Sequence, residues 1–216
     1  MSRRILLATG NLHKVRELQE VLQFQLAQMR RGNPTVSNLV ELESVEIVSA
    51  AAVGGMPPVI ENADTFSGNA LLKAHALQQL RAEPDDWILA DDSGLVVDAL
   101  AGAPGIYSAR YAGPNCEDAA NNQKLLSQLN GVPWAQRSAR FECVLALVGH
   151  DLEMLFHGHL DGHIAKKPAG NAGFGYDPLF IPDGYAQSLA ELGSVLKQKI
   201  SHRARALNQL VEWLAG

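Results

Sequence analysis

Arg140-Phe141-Glu142-Cys143-Val144-Leu145-Ala146-Leu147-Val148 runs into Gly149-His150-Asp151 and then into a second apolar stretch through Met154 and Phe156. Phe141, Cys143, Leu145 and Leu147 recur every second residue, which predicts a strand with one face in a core. Gly149-His150-Asp151 is short and polar and predicts a hairpin turn into the next strand. Outward from this hairpin, strands and helices alternate. Ile5 to Ala8 reads as a short buried strand, and Val15, Leu18, Val21 and Leu22 follow at helical spacing. Gly32-Asn33-Pro34 breaks the chain, Val45 to Val48 reads as a strand, and no role is readable over residues 26–44. A helix over about 69–81 is ended by Glu83-Pro84-Asp85-Asp86, which delivers a strand at 87–90. Residues 117–129 read as a helix, Gly162-His163-Ile164 as a short strand, and the last helix buries Leu207, Leu210 and Leu214. A hairpin set among strand–helix units predicts an α/β fold with a mixed sheet, not a pure doubly wound one.

The chain has 216 residues, a net charge of -5, 47% hydrophobic and 19% charged residues. This composition is that of an ordinary globular protein and argues against a polyanion-binding surface, while a single nucleotide needs only a few local cations. No apolar run is long enough for a membrane span, and the apolar stretch after Met1-Ser2-Arg3-Arg4 is too short for a signal peptide. Cys116 and Cys143 form no close-spaced motif, which suggests a reducing cytoplasm.

Asp91-Asp92-Ser93-Gly94 follows the apolar run Trp87-Ile88-Leu89-Ala90. Two adjacent acids on a buried strand are costly unless a cation faces them. A strand-to-turn junction is one reading; a pair of carboxylates converging on a hard cation such as Mg2+ at the strand end is the other. Thr9-Gly10-Asn11-Leu12-His13-Lys14 joins a strand to a helix start, where backbone N–H groups can receive an anion. Lys14 opposes the dipole there unless an anion is bound; a capped helix with a solvated lysine is the alternative. Phe66, Ala70, Leu77 and Leu80 form an apolar stripe that includes Lys73, which either snorkels outward or reaches a buried anion. Gly170-Asn171-Ala172-Gly173-Phe174-Gly175-Tyr176-Asp177-Pro178 pairs glycines with aromatics, as a loop receiving a flat base does and as an ordinary loop with buried rings also can. Ser201 is a natural N-cap for the last helix, and Arg203 shares its core stripe with Leu207, where it needs an acceptor. His157, His159 and His163 lack a third ligand at metal spacing and read as a solvated strand face.

Taken in order, Thr9-Gly10-Asn11-x-x-Lys14, Asn69-Ala70-x-x-Lys73-Ala74, Asp91-Asp92-Ser93-Gly94-Leu95, Gly102-Ala103-Pro104-Gly105-Ile106-Tyr107-Ser108-Ala109-Arg110, Phe174-Gly175-Tyr176-Asp177-Pro178 and Ser201-His202-Arg203 resemble the inosine/xanthosine triphosphate pyrophosphatase family over nearly the whole chain. The resemblance implies one domain over 1–216, two-lobed, with a long mixed sheet, helices and a cleft, as a cytoplasmic homodimer. It implies Mg2+-dependent hydrolysis of dITP, ITP, XTP and dXTP to the monophosphate and pyrophosphate. By matching position, Thr9, Gly10, Asn11 and Lys14 would hold the triphosphate with help from Lys73 and Ser93. Asp92 would be the proton acceptor, with Asp91, Asp92 and Glu61 near the metal. Phe174, Gly175, Tyr176, Asp177, Lys197, His202 and Arg203 would enclose the base, with donors from His202 or Arg203 reading its 6-keto group. Gly68 departs from the family, which often carries Glu there. A pyrophosphatase of other modified nucleotides and a non-catalytic nucleotide sensor are the competing readings.

Overall fold

Trp87–Val97 forms one unbroken strand of 11 residues in the computed structural model, so Asp91 and Asp92 lie in mid-strand and not at a strand end. The sequence expectation ended that strand at Ala90. The extension follows from Leu95-Val96-Val97, all buried, which continue the apolar pattern past the acids. The structure describes residues 4–32, 46–81, 83, 85–114 and 117–215. Cys116, Val45 and most of the 26–44 segment therefore lie outside the described residues or have undescribed side chains.

The described strands are β1 (Arg4–Leu7), β2 (Glu46–Ser49), β3 (Trp87–Val97), β4 (Ser138–Val148), β5 (Glu153–Ile164) and β6 (Phe180–Pro182). They form a mixed six-stranded sheet in the order β2-β1-β3-β4-β5-β6. β1 pairs in parallel with β2 through Leu6↔Val48 and with β3 through Leu6↔Ile88. β5 pairs antiparallel with β6. The expected hairpin turn is present, with Gly149 N–H donating to Leu152 O at 2.8 Å. Gly162 to Ile164 is the end of β5 and not a separate strand. The described α-helices are α1 (Leu12–Gly32), α2 (Phe66–Arg81), α3 (Asp118–Gln128), α4 (Leu189–Ile200) and α5 (His202–Ala215). None of them is long and apolar enough to cross a membrane.

The chain divides into two compact units. The first comprises residues 1–92, 143–158 and 203–216. Its core packs Val15, Leu18 and Val21 of α1 and Leu207 and Leu210 of α5 with Ile5, Leu7, Leu89, Cys143, Leu145 and Leu147. Those strand residues alternate, as the period-two pattern requires. α2 buries Phe66, Ala70, Ala74 and Leu77, while Leu80 is 63% exposed and lies off the expected stripe. The second unit comprises residues 93–142 and 159–202. Its core joins Leu95, Val97, Phe141 and Ile164 to Leu125 and Leu129 after and within α3, and to Leu179 and Phe180.

Candidate active site

The first unit concentrates charge around β3. Leu89 faces α1 and α5, so Asp91, two residues on, points to the same face. There its Oδ1 accepts from Lys14 Nζ, and its Oδ2 accepts from Arg203 Nε at 3.0 Å and the Cys143 thiol at 3.3 Å. Burial alone would push Asp91 up, but the positive charges of Arg203 and Lys14 overcome it and hold the carboxyl well below its usual range. Arg203 is buried too. Desolvation opposes its charge, yet Asp91 and Glu17 raise its pKa, with NH1 donating to Glu17 Oε2 at 2.8 Å.

Asp92 turns to the opposite face, toward α2. Lys73 Nζ donates to its Oδ1 at 2.6 Å and lies 3.5 Å from Glu61 Oε2. Lys73 is buried at 9% exposure, so it reaches an anion and does not snorkel. Asp92 Oδ2 is buried without a hydrogen-bond partner. Burial raises the Asp92 pKa, against the pull of Lys73 and Lys14 and with a further rise from the Asp91 charge. The two neighbouring acids are thus shifted in opposite directions.

Asn11 caps α1, its Oδ1 accepting from the N–H groups of His13 at 2.9 Å and Lys14 at 3.2 Å. Thr9 Oγ1 in turn accepts from Asn11 N–H at 3.1 Å. The helix is capped as one reading held, but Lys14 is paired and not solvated. Ser93 follows on β3 and is half-buried. Gly68 has a packing reason: a Cβ there would lie 2.6 Å from Ala63 Cβ, so a glutamate needs the preceding loop to move.

In the second unit, Asp177 organises the aromatic loop. Its Oδ2 accepts from Phe174 N–H at 3.0 Å and from Lys197 Nζ at 2.7 Å. Lys197 Nζ also sits 4.6 Å from the Phe174 ring centroid, a cation–π contact that ties ring, lysine and carboxylate together. Lys197 comes from α4, whose N-terminus is fixed by a capping box between Ser188 and Glu191. Tyr176 is buried and donates its hydroxyl to Ser108 O at 2.8 Å. His202 is buried and stacks on Phe141 with centroids 4.8 Å apart.

The structure therefore brings Lys14, Lys73, Glu61, Asp91, Asp92 and Arg203 into one network, and Phe174, Asp177 and Lys197 into another. Arg203 places Nε on Asp91 and NH1 on Glu17, so two carboxylates of the first unit anchor its guanidinium. Asp91 Oδ1 takes Lys14 and Oδ2 takes Arg203 and Cys143, so a metal ion near it would share oxygens that already accept from these donors. Ser201 ends α4 as its C-cap. Sequence reasoning missed Glu17 and Cys143, whose partners are far away in the chain, and Asp118 and Asn122, which hold Gly175. Glu17 could have been found by asking what faces an inward Arg203. Among the described residues no group of three or more His, Cys, Asp or Glu is placed to hold a metal; on β5, His157 and His159 are exposed and His163 is half-buried.

A metal ion fits the first network on other grounds. Lys14, Lys73 and Arg203 face Glu17, Glu61, Asp91 and Asp92, leaving one excess negative charge. A polyanion meets such a network favourably only with added positive charge. The unpartnered Asp92 Oδ2 is a hard oxygen donor for it, and Glu61, which shares Lys73 with Asp92, is a second.

A profile of the Ham1 family matches residues 5–213. The dITP/XTP pyrophosphatase of Opitutus terrae is 49% identical over 208 residues, covering 96% of both chains. That of Bacillus subtilis is 40% identical over 211 residues, covering 97% of this chain and 96% of its own. Among solved structures, the Staphylococcus aureus Ham1 protein is similar with a TM-score of 0.79 at 34% identity, over 98% of each chain. A HAM1 protein from Coxiella burnetii gives a TM-score of 0.79 at 37% identity, also over 98% of each.

Proposed function

The chain belongs to the Ham1 family, and on that premise we propose that it hydrolyses dITP, ITP, XTP and dXTP to the nucleoside monophosphate and pyrophosphate. The observation that carries the reading is Asp92, a buried carboxylate with one oxygen on Lys73 and the other without a partner. Burial costs an ionised carboxylate several kcal/mol on the order-of-magnitude scale for buried ions. A fold gains nothing from that oxygen, whereas a base or metal ligand needs it.

The Asp91–Asp92 pair and Glu61 would hold Mg2+, which when bound would neutralise phosphate charge and polarise the phosphate oxygens. Thr9, Gly10, Asn11 and Lys14, with Lys73 and Ser93, take the triphosphate. Asp92 orients a water and accepts its proton as the water oxygen bonds to phosphorus. The bond between the α and β phosphates breaks, and pyrophosphate leaves with the bond electrons. The rise in the Asp92 pKa suits this role, because a stronger base accepts a proton more readily. Asp91 stays ionised under Arg203 and Lys14 and fixes Lys14 in place.

Phe174, Gly175, Tyr176, Asp177, Lys197, His202 and Arg203 take the purine. Hypoxanthine and xanthine offer a 6-keto acceptor where adenine offers an amino donor. Leaving a buried donor unsatisfied costs about 1–3 kcal/mol, or roughly 5- to 150-fold in kcat/KM per contact. A cytoplasmic setting belongs to the same reading, in which the buried Cys143 stays a thiol hydrogen-bonded to Asp91. A homodimer, with 1–216 acting as one domain, belongs to the same reading and rests on the family resemblance.

The test is pyrophosphate release from a nucleotide panel, with Mg2+ and with the metal chelated. Release from dITP and XTP exceeding that from dATP by about tenfold or more is expected, and chelation should abolish it. Binding of dITP without release would make the protein a sensor, and best turnover of a modified pyrimidine would overturn the base assignment.

A further inference from the structure

Gly175 sits in the aromatic loop with φ +62°, and a Cβ there would meet nothing within 4 Å. Glycine holds such a conformation weakly, because its flanking peptides rotate with little steric resistance. Both of those peptides are nevertheless gripped by one helix. Gly175 N–H donates to Asp118 Oδ2 at 2.5 Å, and Gly175 O accepts from Asn122 Nδ2 at 2.9 Å. Asp118 and Asn122 are four residues apart, one helical turn on the same face of α3. Fixing the two peptides fixes φ and ψ of Gly175, and thereby the placement of Phe174 relative to Tyr176 and Asp177.

The grip has a cost. Asn122 is 9% exposed, and its Oδ1 is buried with no hydrogen-bond partner. Its neighbour Asn121 uses both ends of its amide, accepting from Ala112 N–H and donating to Ala109 O. An amide flip at Asn122 does not relieve the orphan acceptor, since it would set two oxygens against each other at Gly175 O. An apolar side chain would avoid the burden, so what the asparagine supplies is its donor to Gly175.

The geometry points to Asp118 and Asn122 as positioning residues for nucleobase recognition: α3 clamps Gly175 so that the Phe174–Asp177 loop is preformed before the purine arrives. This rests on the assignment of that loop to the base. A preformed loop strengthens binding throughout the reaction, so its loss acts on KM and not on kcat.

Steady-state kinetics with dITP test the clamp, using Asp118→Ala, Asn122→Ala, Asp118→Asn and Phe174→Ala. Each alanine clamp variant should raise KM by about fivefold to tenfold with kcat nearly unchanged, and should narrow the dITP-over-dATP preference. Asp118→Asn keeps an acceptor and should recover most of the affinity. Amide exchange at Gly175 should accelerate in Asp118→Ala, and this readout holds even if Asn122→Ala folds poorly. Unchanged KM in the clamp variants with a raised KM in Phe174→Ala overturns the clamp alone. Unchanged KM in Phe174→Ala removes the base assignment, and the clamp with it. A uniform fall in kcat without a KM effect would make α3 merely structural.

Discussion

Asp91 and Asp92 share chemistry and a peptide bond, yet a period-two strand sends them to different partners. Asp91 neutralises Lys14 and shares Arg203 with Glu17, so its removal leaves Lys14 without its counter-charge and Arg203 with one of its two carboxylates. Asp91→Asn should therefore cost about 3–5 kcal/mol, the usual penalty for breaking a buried pair from one side, seen as a lower urea midpoint. Asp92→Asn removes a carboxylate that burial disfavours, although it weakens the contact to Lys73. It should unfold within about 1 kcal/mol of the parent, since those two effects oppose each other, while pyrophosphate release from dITP is lost. Near-parental turnover in Asp92→Asn would remove it from the chemistry, and equal destabilisation by both variants would refute the division of roles.

Two glycines, one inside a helix and one between a strand and a helix, separate what the fold needs from what the ligand needs. Gly193 inside α4 has φ 77° and ψ 174°, a kink no helix of L-residues adopts. Gly193→Ala should cost about 1–3 kcal/mol from backbone strain, read as a lower melting temperature. Gly10, between β1 and α1, has no positive φ, and a Cβ there meets nothing within 4 Å. Gly10→Ala should leave stability within about 0.5 kcal/mol of the parent but raise KM for the triphosphate, because a methyl would occupy the space of close phosphate approach. A parental KM would mean that Gly10 does not face the substrate. The same kink explains why α4 was illegible: Gly193 interrupts the 3.6-residue period, leaving Lys197 assigned by resemblance with no element beneath it. β6 escaped because three residues, Phe180–Pro182, carry no period at all. α1, α2 and the β4–β5 hairpin were legible because each carries a local apolar period, and β1 because it is a short continuous apolar run, buried on both faces.

At the scale of the whole molecule, the sequence showed which residues carry charge but not which charges meet. Arg203 contacts Glu17 across 186 residues and Asp91 across 112, and no local pattern encodes such pairings. Arg203 and Asp91 could therefore be named as site residues from the sequence, but not as partners of each other. The pairings also set how the protein answers acid. Asp91, held down by Arg203 and Lys14, and Asp86, held down mainly by its hydrogen bonds to Arg4, both have folded pKa values below the ordinary 3.8. Such groups stabilise the fold fully above the unfolded pKa, and that stability is lost as pH falls from about 4 through their folded values. Asp92 has the opposite sign: its folded pKa lies above 3.8, so falling pH relieves its buried charge and favours folding. As a base, however, Asp92 must be ionised, so kcat/KM should fall as pH drops through its raised value, before the fold is lost. Two separated acid limbs are expected, with activity failing first and recovering on return to neutral pH, and unfolding by circular dichroism following below about pH 4. Asp91→Asn should weaken the unfolding limb. Coincident limbs would mean that activity is lost only through unfolding and that Asp92 does not act as the base.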